Sequence, residues 1–185
     1  YKVFNTSINS EYAELGVSYL YSNSIIFASS KKNDEDKSFK KDRRRNNSQF
    51  HLEFYKGIIA ENGDILENGK FSNEIKNKFY EADISFTPDL KTVYFTWNNY
   101  YSAETKEDIE KWNTLRIVKA SVTDNFQIGN VTFLPINSSS YSVRSPIVSS
   151  DGEKLFFVSI INKNVFLPYK LVLIYLILEL NNVEL

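Results

Sequence analysis

The segment FSNEIKNKFYEADISFTPDLKTVYFTWNNYY, residues 71–101, carries the clearest structural signal in the chain. Two short runs within it, residues 84–86 and 93–97, alternate apolar with polar side chains and are rich in aromatic and β-branched residues. That pattern is typical of strands with one buried face. Residues 87–91 between the runs hold a proline followed by an aspartate, and both residue types favour a tight turn. The segment therefore predicts a β-hairpin.

The same hairpin pattern occurs three times along the chain. Each copy begins at a tyrosine and closes on a phenylalanine, over residues 12–27, 80–95 and 141–157. The closing phenylalanines lie 95 − 27 = 68 and 157 − 95 = 62 positions apart. Further strand candidates follow the first two hairpins, and a recurring four-stranded antiparallel unit is typical of a propeller blade. We predict an all-β fold, a partial β-propeller of four-stranded antiparallel blades with two complete blades and the start of a third.

The repeat also predicts where the blades begin and end. The expected bounds are roughly 9–76, 77–136 and 137–159 onward, together an incomplete β-propeller over residues 1–159. Residues 160–185 contain an apolar run without alternation at 171–180, and we interpret them as a diverged or frame-shifted apolar tail. Closed propellers have about four to eight blades, so we expect this chain to be a fragment of a longer propeller or an incomplete product.

Composition narrows the function classes. The chain has 185 residues, of which 42% are hydrophobic and 15% aromatic, as expected for a folded, β-rich protein. A net charge of −1 argues against a nucleic-acid partner. The absence of cysteine excludes a disulfide, a thiolate metal site and a cysteine nucleophile. His51 is the only histidine, and metal sites need several converging ligands, so we predict no metal and no cofactor.

Two features bear on location and on charged partners. The apolar run at residues 171–180 is shorter than the about 20 residues that a membrane-spanning helix needs, so no membrane span is predicted, and no signal peptide is recognised. Residues 31–45 contain eight Lys or Arg against four Asp or Glu. Such a run is usually a solvated loop. The alternative is binding to an anionic surface through this loop, with Arg43, Arg44 and Arg45 as its centre.

A series of short motifs follows in a fixed order over residues 5–159. The motifs are Phe71-Ser-Asn-Glu-Ile-Lys-Asn77, Ser85-Phe-Thr-Pro-Asp89, Val93-Tyr-Phe-Thr96 with Asn98-Asn-Tyr100, Leu134-Pro-Ile-Asn-Ser138, Tyr141-Ser-Val143 with Ser150-Asp-Gly152, and Leu155-Phe-Phe-Val-Ser159. This order resembles the WD-like β-propeller repeats of the TolB type. It is more closely similar to the propeller region of OmpA-family envelope proteins from Bacteroidetes-type bacteria. The chain departs from that pattern at Leu90, where the family usually has glycine, and at Trp97, where it usually has a basic residue.

The resemblance implies a non-catalytic binding or scaffold module and no enzyme activity. Family members of this kind lie in the periplasm, associated with the outer membrane. The implied partners are envelope proteins, or a peptidoglycan-associated assembly reached through the full-length protein. Exposed blade edges also predict self-association, because an unpaired strand edge is a template for pairing with another chain.

The alternative function is a propeller hydrolase fragment, either a glycosidase or a peptidase-associated domain. Hydrolysis of a glycoside would need two carboxylates at a defined separation, and the candidate acids are Asp83, Asp89 and Asp151. Asp89 and Asp151 occupy the same place in two copies of the hairpin turn. Turn geometry explains a residue that recurs in this way, so the sequence favours a structural role for both.

We predict an interaction surface where the second strand of the central hairpin ends. It comprises Trp97, Asn98, Asn99, Tyr100 and Tyr101, whose aromatic and amide groups could face a partner. The competing interpretation is that Trp97 packs between blades, as large aromatic side chains mostly do in cores and interfaces.

Overall fold

The chain forms β-strands throughout the part that the structure describes. The computed structural model describes residues 3–31, 52–71, 81–98, 114–139, 141–160 and 171–177. The strands are β1 Glu14–Tyr21, β2 Ser24–Ser29, β3 Glu53–Ile59, β4 Ile65–Lys70, β5 Glu81–Phe86, β6 Thr92–Asn98, β7 Leu115–Val122, β8 Ile128–Phe133, β9 Val143–Val148, β10 Lys154–Ile160 and β11 Leu171–Ile177. No helix occurs within these ranges.

The strands form three antiparallel sheets in which neighbours follow chain order. Sheet A contains β1 to β4, sheet B contains β5 to β8, and sheet C contains β9 to β11. Every neighbouring pair is antiparallel. The fold predicted from the sequence is therefore confirmed: an all-β partial propeller with two four-stranded blades and the beginning of a third.

The third strand of sheet C comes from the apolar tail. In the β10–β11 ladder Lys154 lies opposite Ile177, and Ile160 lies opposite Leu171. Part of the segment interpreted as a diverged or frame-shifted tail thus extends the third sheet. A change of reading frame stays a prediction, and residues 161–170 and 178–185 lie outside the described ranges.

The first strand of each sheet carries an extra residue at one matching place, and β1 has a second irregularity between Tyr19 and Tyr21. The first and second strands slip by one residue in all three sheets, opposite the closing phenylalanine of the repeat. The extra residues are Gly16, Asp83 and Ser145, with φ of 66°, 51° and 55°. A left-handed residue inserted into one strand is a β-bulge. A Cβ added to Gly16 would lie 3.0 Å from the backbone nitrogen of Asp83, so the close approach of β1 and β5 requires glycine here.

The shared bulge allows positions to be matched between the sheets. Counting from it, the third residue after the bulge is Tyr19 in sheet A, Phe86 in sheet B and Val148 in sheet C. These residues pair with matching positions of the second strands. In the order sheet A, sheet B, sheet C, the matched sets are Val17, Ile84 and Pro146; Ser18, Ser85 and Ile147; Tyr19, Phe86 and Val148; Ile26, Tyr94 and Phe156; and Ala28, Thr96 and Val158.

Apolar side chains fill the spaces between successive sheets. Between sheets A and B, the Phe54 and Phe95 rings meet edge to face with centroids 5.9 Å apart, and Phe71 meets Phe86 in the same way at 5.8 Å. Between sheets B and C the buried residues are Tyr94, Ile117, Val143, Leu155 and Phe157. The core is therefore a stack, in which each sheet buries its apolar residues against the next.

We call the side of a sheet that is turned toward the previous sheet its preceding face, and the opposite side its following face. Phe95 and Phe157 lie on preceding faces, because they pack against sheets A and B respectively. Phe27 matches both residues and so marks the preceding face of sheet A. There it is buried beside Tyr55, and Ile8 of the N-terminal segment packs against the pair.

Candidate binding surfaces

The two aspartates that recur in the hairpin turns hold those turns closed; we call Asp89 and Asp151 the turn aspartates. Asp89 Oδ1 accepts hydrogen bonds from Thr87 Oγ1 at 2.6 Å and from the Lys91 amide at 3.0 Å. The hydroxyl of Thr87 also accepts from the Thr92 amide at 3.1 Å. The Thr87 hydroxyl lowers the pKa of Asp89, because these bonds favour the charged carboxylate.

Asp151 repeats this network position by position. Its Oδ1 accepts from Ser149 Oγ at 2.5 Å and from the Glu153 amide at 2.9 Å, and the Ser149 hydroxyl accepts from the Lys154 amide at 2.9 Å. The Ser149 hydroxyl lowers the pKa of Asp151 as Thr87 does for Asp89. The matched networks account for both acids through turn geometry.

Asp83, the third candidate acid, is a bulge residue in contact with the next sheet. Its Oδ2 accepts a hydrogen bond from Ser145 Oγ at 2.9 Å, which joins the bulges of sheets B and C. The Ser145 amide donates to Thr96 Oγ1 at 3.0 Å, so the same bulge makes a second bond across this interface. Asp83 therefore links two blades.

The structure places Trp97 in the core between sheets A and B. Its side chain is 9% exposed and stacks on Phe95 with centroids 6.1 Å apart. This location agrees with the packing alternative, and Trp97 lies next to the last residue of β6, at the rim of sheet B. Asn98 ends β6. The other predicted surface residues lie outside the described ranges and stay predictions: Asn99, Tyr100, Tyr101, Arg43, Arg44 and Arg45.

A group of side chains that the sequence did not single out surrounds Trp97 at that rim. The Phe133 ring lies 5.8 Å from the Trp97 ring, and the guanidinium carbon of Arg116 lies 5.6 Å from the Phe133 centroid. Phe133 is nevertheless 52% exposed. Within the described residues, Arg116 Nε is buried without a hydrogen-bond partner. We call Trp97, Arg116 and Phe133 the rim cluster.

Strand register explains why these three residues meet. Trp97 pairs with Arg116 across β6 and β7, and Val118 pairs with Phe133 across β7 and β8. Paired residues project to the same side of a sheet, so all three side chains reach one face. Alternation in the sequence identifies Phe133 as a strand residue, but it does not say which face a neighbouring sheet covers.

Neither a metal-binding cluster nor a membrane-spanning helix is found among the described residues. They contain no group of three or more His, Cys, Asp or Glu side chains arranged to hold a metal ion. Over the same ranges, nothing in the structure forms a helix with the length and apolarity required to cross a membrane.

Comparison with solved structures finds chains of similar fold, and TolB is one of them. No protein-family model matches the chain, and no curated protein matches it. The fold is similar to the crystal structure of TolB from Acinetobacter baumannii, with 15% sequence identity and a TM-score of 0.37. The match covers 82% of this chain and 27% of the TolB chain, so the chain spans about a quarter of that protein's length. Neither a family model nor a curated protein supports the OmpA-family part of the resemblance, which stays a prediction.

Proposed function

We propose that this chain is a non-catalytic binding and scaffold module, and that the rim cluster is one of its contact surfaces. The observation that carries this proposal is the Phe133 ring, which contacts both Trp97 and Arg116 while remaining 52% exposed. Aromatic and arginine side chains dominate the binding energy of many protein interfaces. The Phe133 ring is half-exposed and packs on the buried indole of Trp97, so it is suited to contact a side chain of a partner.

The chemistry of Arg116 narrows the kind of partner. Its guanidinium lies over the Phe133 ring, an arrangement worth about 0.5–1 kcal/mol at an exposed site that also fixes the plane of the group. A planar guanidinium can pair with both oxygens of a carboxylate. The expected ligand is a protein segment that presents an acidic side chain beside an apolar one.

The positions of the candidate acids support binding over hydrolysis. A glycoside hydrolase needs one carboxyl group as a proton donor and a second as a nucleophile or base. Asp89 and Asp151 instead accept the bonds that close two turns, and Asp83 accepts a bond from Ser145 of the next sheet. All three carboxylates therefore accept hydrogen bonds that hold the fold together.

The same proposal places this module in a periplasmic OmpA-family protein associated with the outer membrane. This part depends on the ordered motifs over residues 5–159, which resemble the propeller region of such proteins. Its partners would be envelope proteins or a peptidoglycan-associated assembly. Fractionation of the native host should recover the full-length protein with the envelope, and recovery in the cytoplasm would contradict this assignment.

Alanine substitution tests the rim cluster directly. The purified chain and its Phe133→Ala and Val131→Ala variants would be immobilised and exposed to envelope extract from the host. Val131 lies on the same strand and is also exposed, so it is a matched control. Phe133→Ala should weaken retention of a specific protein by about tenfold or more, which corresponds to about 1.4 kcal/mol. Equal retention by the two variants, with unchanged circular dichroism, would refute the role of the rim cluster.

A further inference from the structure

The preceding face of sheet A exposes apolar side chains that are buried at the same positions of sheet B. Val17 is 60% exposed and Tyr19 is 71% exposed. Their matched residues in sheet B, Ile84 and Phe86, are 5% and 9% exposed because sheet A covers them. The β1 side of this face therefore has the composition of a blade interface, but no sheet of the described residues packs against it.

The following face of sheet C shows the same difference at the other end of the stack. Ile147 is 62% exposed, and Phe156 and Val158 are half-buried. The residues of sheet B that match the last two, Tyr94 and Thr96, are both buried against sheet C. Among the described strands, those of sheet A make no contact with those of sheet C. Within the described ranges, no second sheet therefore covers the preceding face of sheet A or the following face of sheet C, and we call these two faces the open faces.

On the β2 and β3 side of the open face of sheet A, the packing resembles that of the interface between sheets B and C. Ile8 packs there in a turn closed by a hydrogen bond from the Asn9 amide to the Thr6 carbonyl at 3.1 Å. Between sheets B and C, Ile136 packs in a matching turn, closed from Asn137 to Leu134 at 3.1 Å. Sheet C still packs against sheet B beside that turn. The Ile8 turn therefore leaves room for a blade.

We propose that two copies of this chain assemble head to tail, with the following face of sheet C in each copy packed on the preceding face of sheet A in the other. The two open faces are complementary, because the matching faces already pack against each other twice within the chain. Sheet A packs against sheet B in this way, and sheet B packs against sheet C. The described sheets of two copies number 2 × 3 = 6, within the range of about four to eight blades that closed propellers have. This contact uses faces separate from the rim cluster, so it stands independently of the binding role proposed above.

The interface between sheets B and C predicts the register of this contact. There the Val148 amide donates to Ser85 Oγ at 3.0 Å. Tyr19 matches Val148 and Ile147 matches Ser85, so Tyr19 of one copy should lie against Ile147 of the partner subunit. By the same matching, the Gly16 bulge should lie beside Ser145 of the partner subunit, as Asp83 lies beside Ser145 within the chain.

Molar mass in solution tests the assembly. Multi-angle light scattering and sedimentation velocity should give 2 × 21.5 = 43.0 kDa for the wild-type chain. Tyr19→Asp and Ile147→Asp should each raise the dimer dissociation constant by about tenfold or more, since each places a charge in an apolar contact. Leu66→Asp is the matched control, because Leu66 is 50% exposed but lies on the following face of sheet A. A monomer at every concentration, or equal weakening by all three substitutions, would overturn the proposal.

Cysteine pairing tests the register and stays informative if a charged variant folds poorly. The chain has no natural cysteine, so any disulfide must involve introduced residues. The double variant Tyr19→Cys with Ile147→Cys should oxidise to a covalent dimer on a non-reducing gel. The pair Leu66→Cys with Ile147→Cys should not. Covalent polymers larger than a dimer would exclude ring closure, and absence of the Tyr19–Ile147 disulfide would exclude the predicted contact.

Discussion

Gly152 and Gly69 provide a matched test of how closely the turns of neighbouring blades pack. Both have a φ of 78°. A Cβ added at Gly152 would lie 3.1 Å from Cδ of Pro88, in the turn of sheet B, whereas a Cβ at Gly69 would meet nothing within 4 Å. Alanine therefore imposes the same backbone penalty at both positions and a collision between sheets at only one.

The expected magnitudes follow from these two terms. An L-residue in the left-handed region costs about 1–2 kcal/mol, and alanine offsets about 0.4–1 kcal/mol of that by stiffening the unfolded chain. Gly69→Ala should thus lower the free energy of unfolding by about 1 kcal/mol. Overpacking adds about 1–3 kcal/mol, so Gly152→Ala should lower it by about 2–4 kcal/mol in total.

Urea unfolding followed by far-UV circular dichroism would measure both losses by linear extrapolation. Pro88→Ala removes the atoms that collide, so in that background Gly152→Ala should become no more damaging than Gly69→Ala. Gly152→Ala, Pro88→Ala and their combination form a double-mutant cycle with wild type, and Gly69→Ala controls for the backbone penalty. Equal losses for the two glycine substitutions, or a Gly152→Ala loss that Pro88→Ala leaves unchanged, would refute the inter-sheet contact.

Two further predictions concern the hydrogen bonds described above. The folded pKa of both turn aspartates lies below its ordinary value, so the stability they contribute is present above that value and is lost as pH falls through the lowered pKa. Between about pH 5 and pH 2, the free energy of unfolding should fall less steeply in an Asp89→Asn, Asp151→Asn double variant than in wild type, and identical slopes would contradict this. Asn137 accepts from the Ile117 amide at 2.8 Å and donates to its carbonyl at 2.7 Å, so Asn137→Ala should cost about 2 kcal/mol in urea unfolding. Asn9→Ala, at the exposed matching position, should change stability by less than about 0.5 kcal/mol, and equal costs would show that the Ile117 bonds contribute nothing.

The hairpins could be predicted from the sequence because their information is local. Alternation with period two specifies each pair of strands within about 15 residues, and the turns contain Ser22-Asn23, Pro88-Asp89 and Asp151-Gly152. The turn aspartates were interpreted correctly because this information is local. Two strands carried no such signal. β4 reads ILENGK and has little alternation, and β11 reads LVLIYLI, a continuous apolar run that periodicity alone cannot distinguish from a buried helix. Their partners in space, β3 and β10, determine their pairing.

The candidate surfaces depended on register, which the sequence does not display. Asp83 is a candidate acid in the sequence because nothing there marks a bulge, and its contact with Ser145 requires two sheets to be stacked. Arg116 and Phe133 lie 17 residues apart in the chain and meet only through the pairing of three strands. The sequence also does not show which side chains are exposed. Tyr19 and Phe86 occupy one matched position, and they differ in exposure only because a neighbouring sheet covers Phe86.

The hydrogen bonds between Asn137 and Ile117 imply that a blade needs residues beyond the last strand of its sheet. Sheet B stops at Phe133, but the last hydrogen bonds to its third strand come from the linker that leads into sheet C. A blade is therefore finished by the first residues of its successor. A chain shortened to end at Phe133 would leave the Ile117 amide and carbonyl unpaired, whereas one that ends after Ser138 would keep them satisfied. Excision, shuffling or duplication of these blades should succeed only when the cut falls after that asparagine.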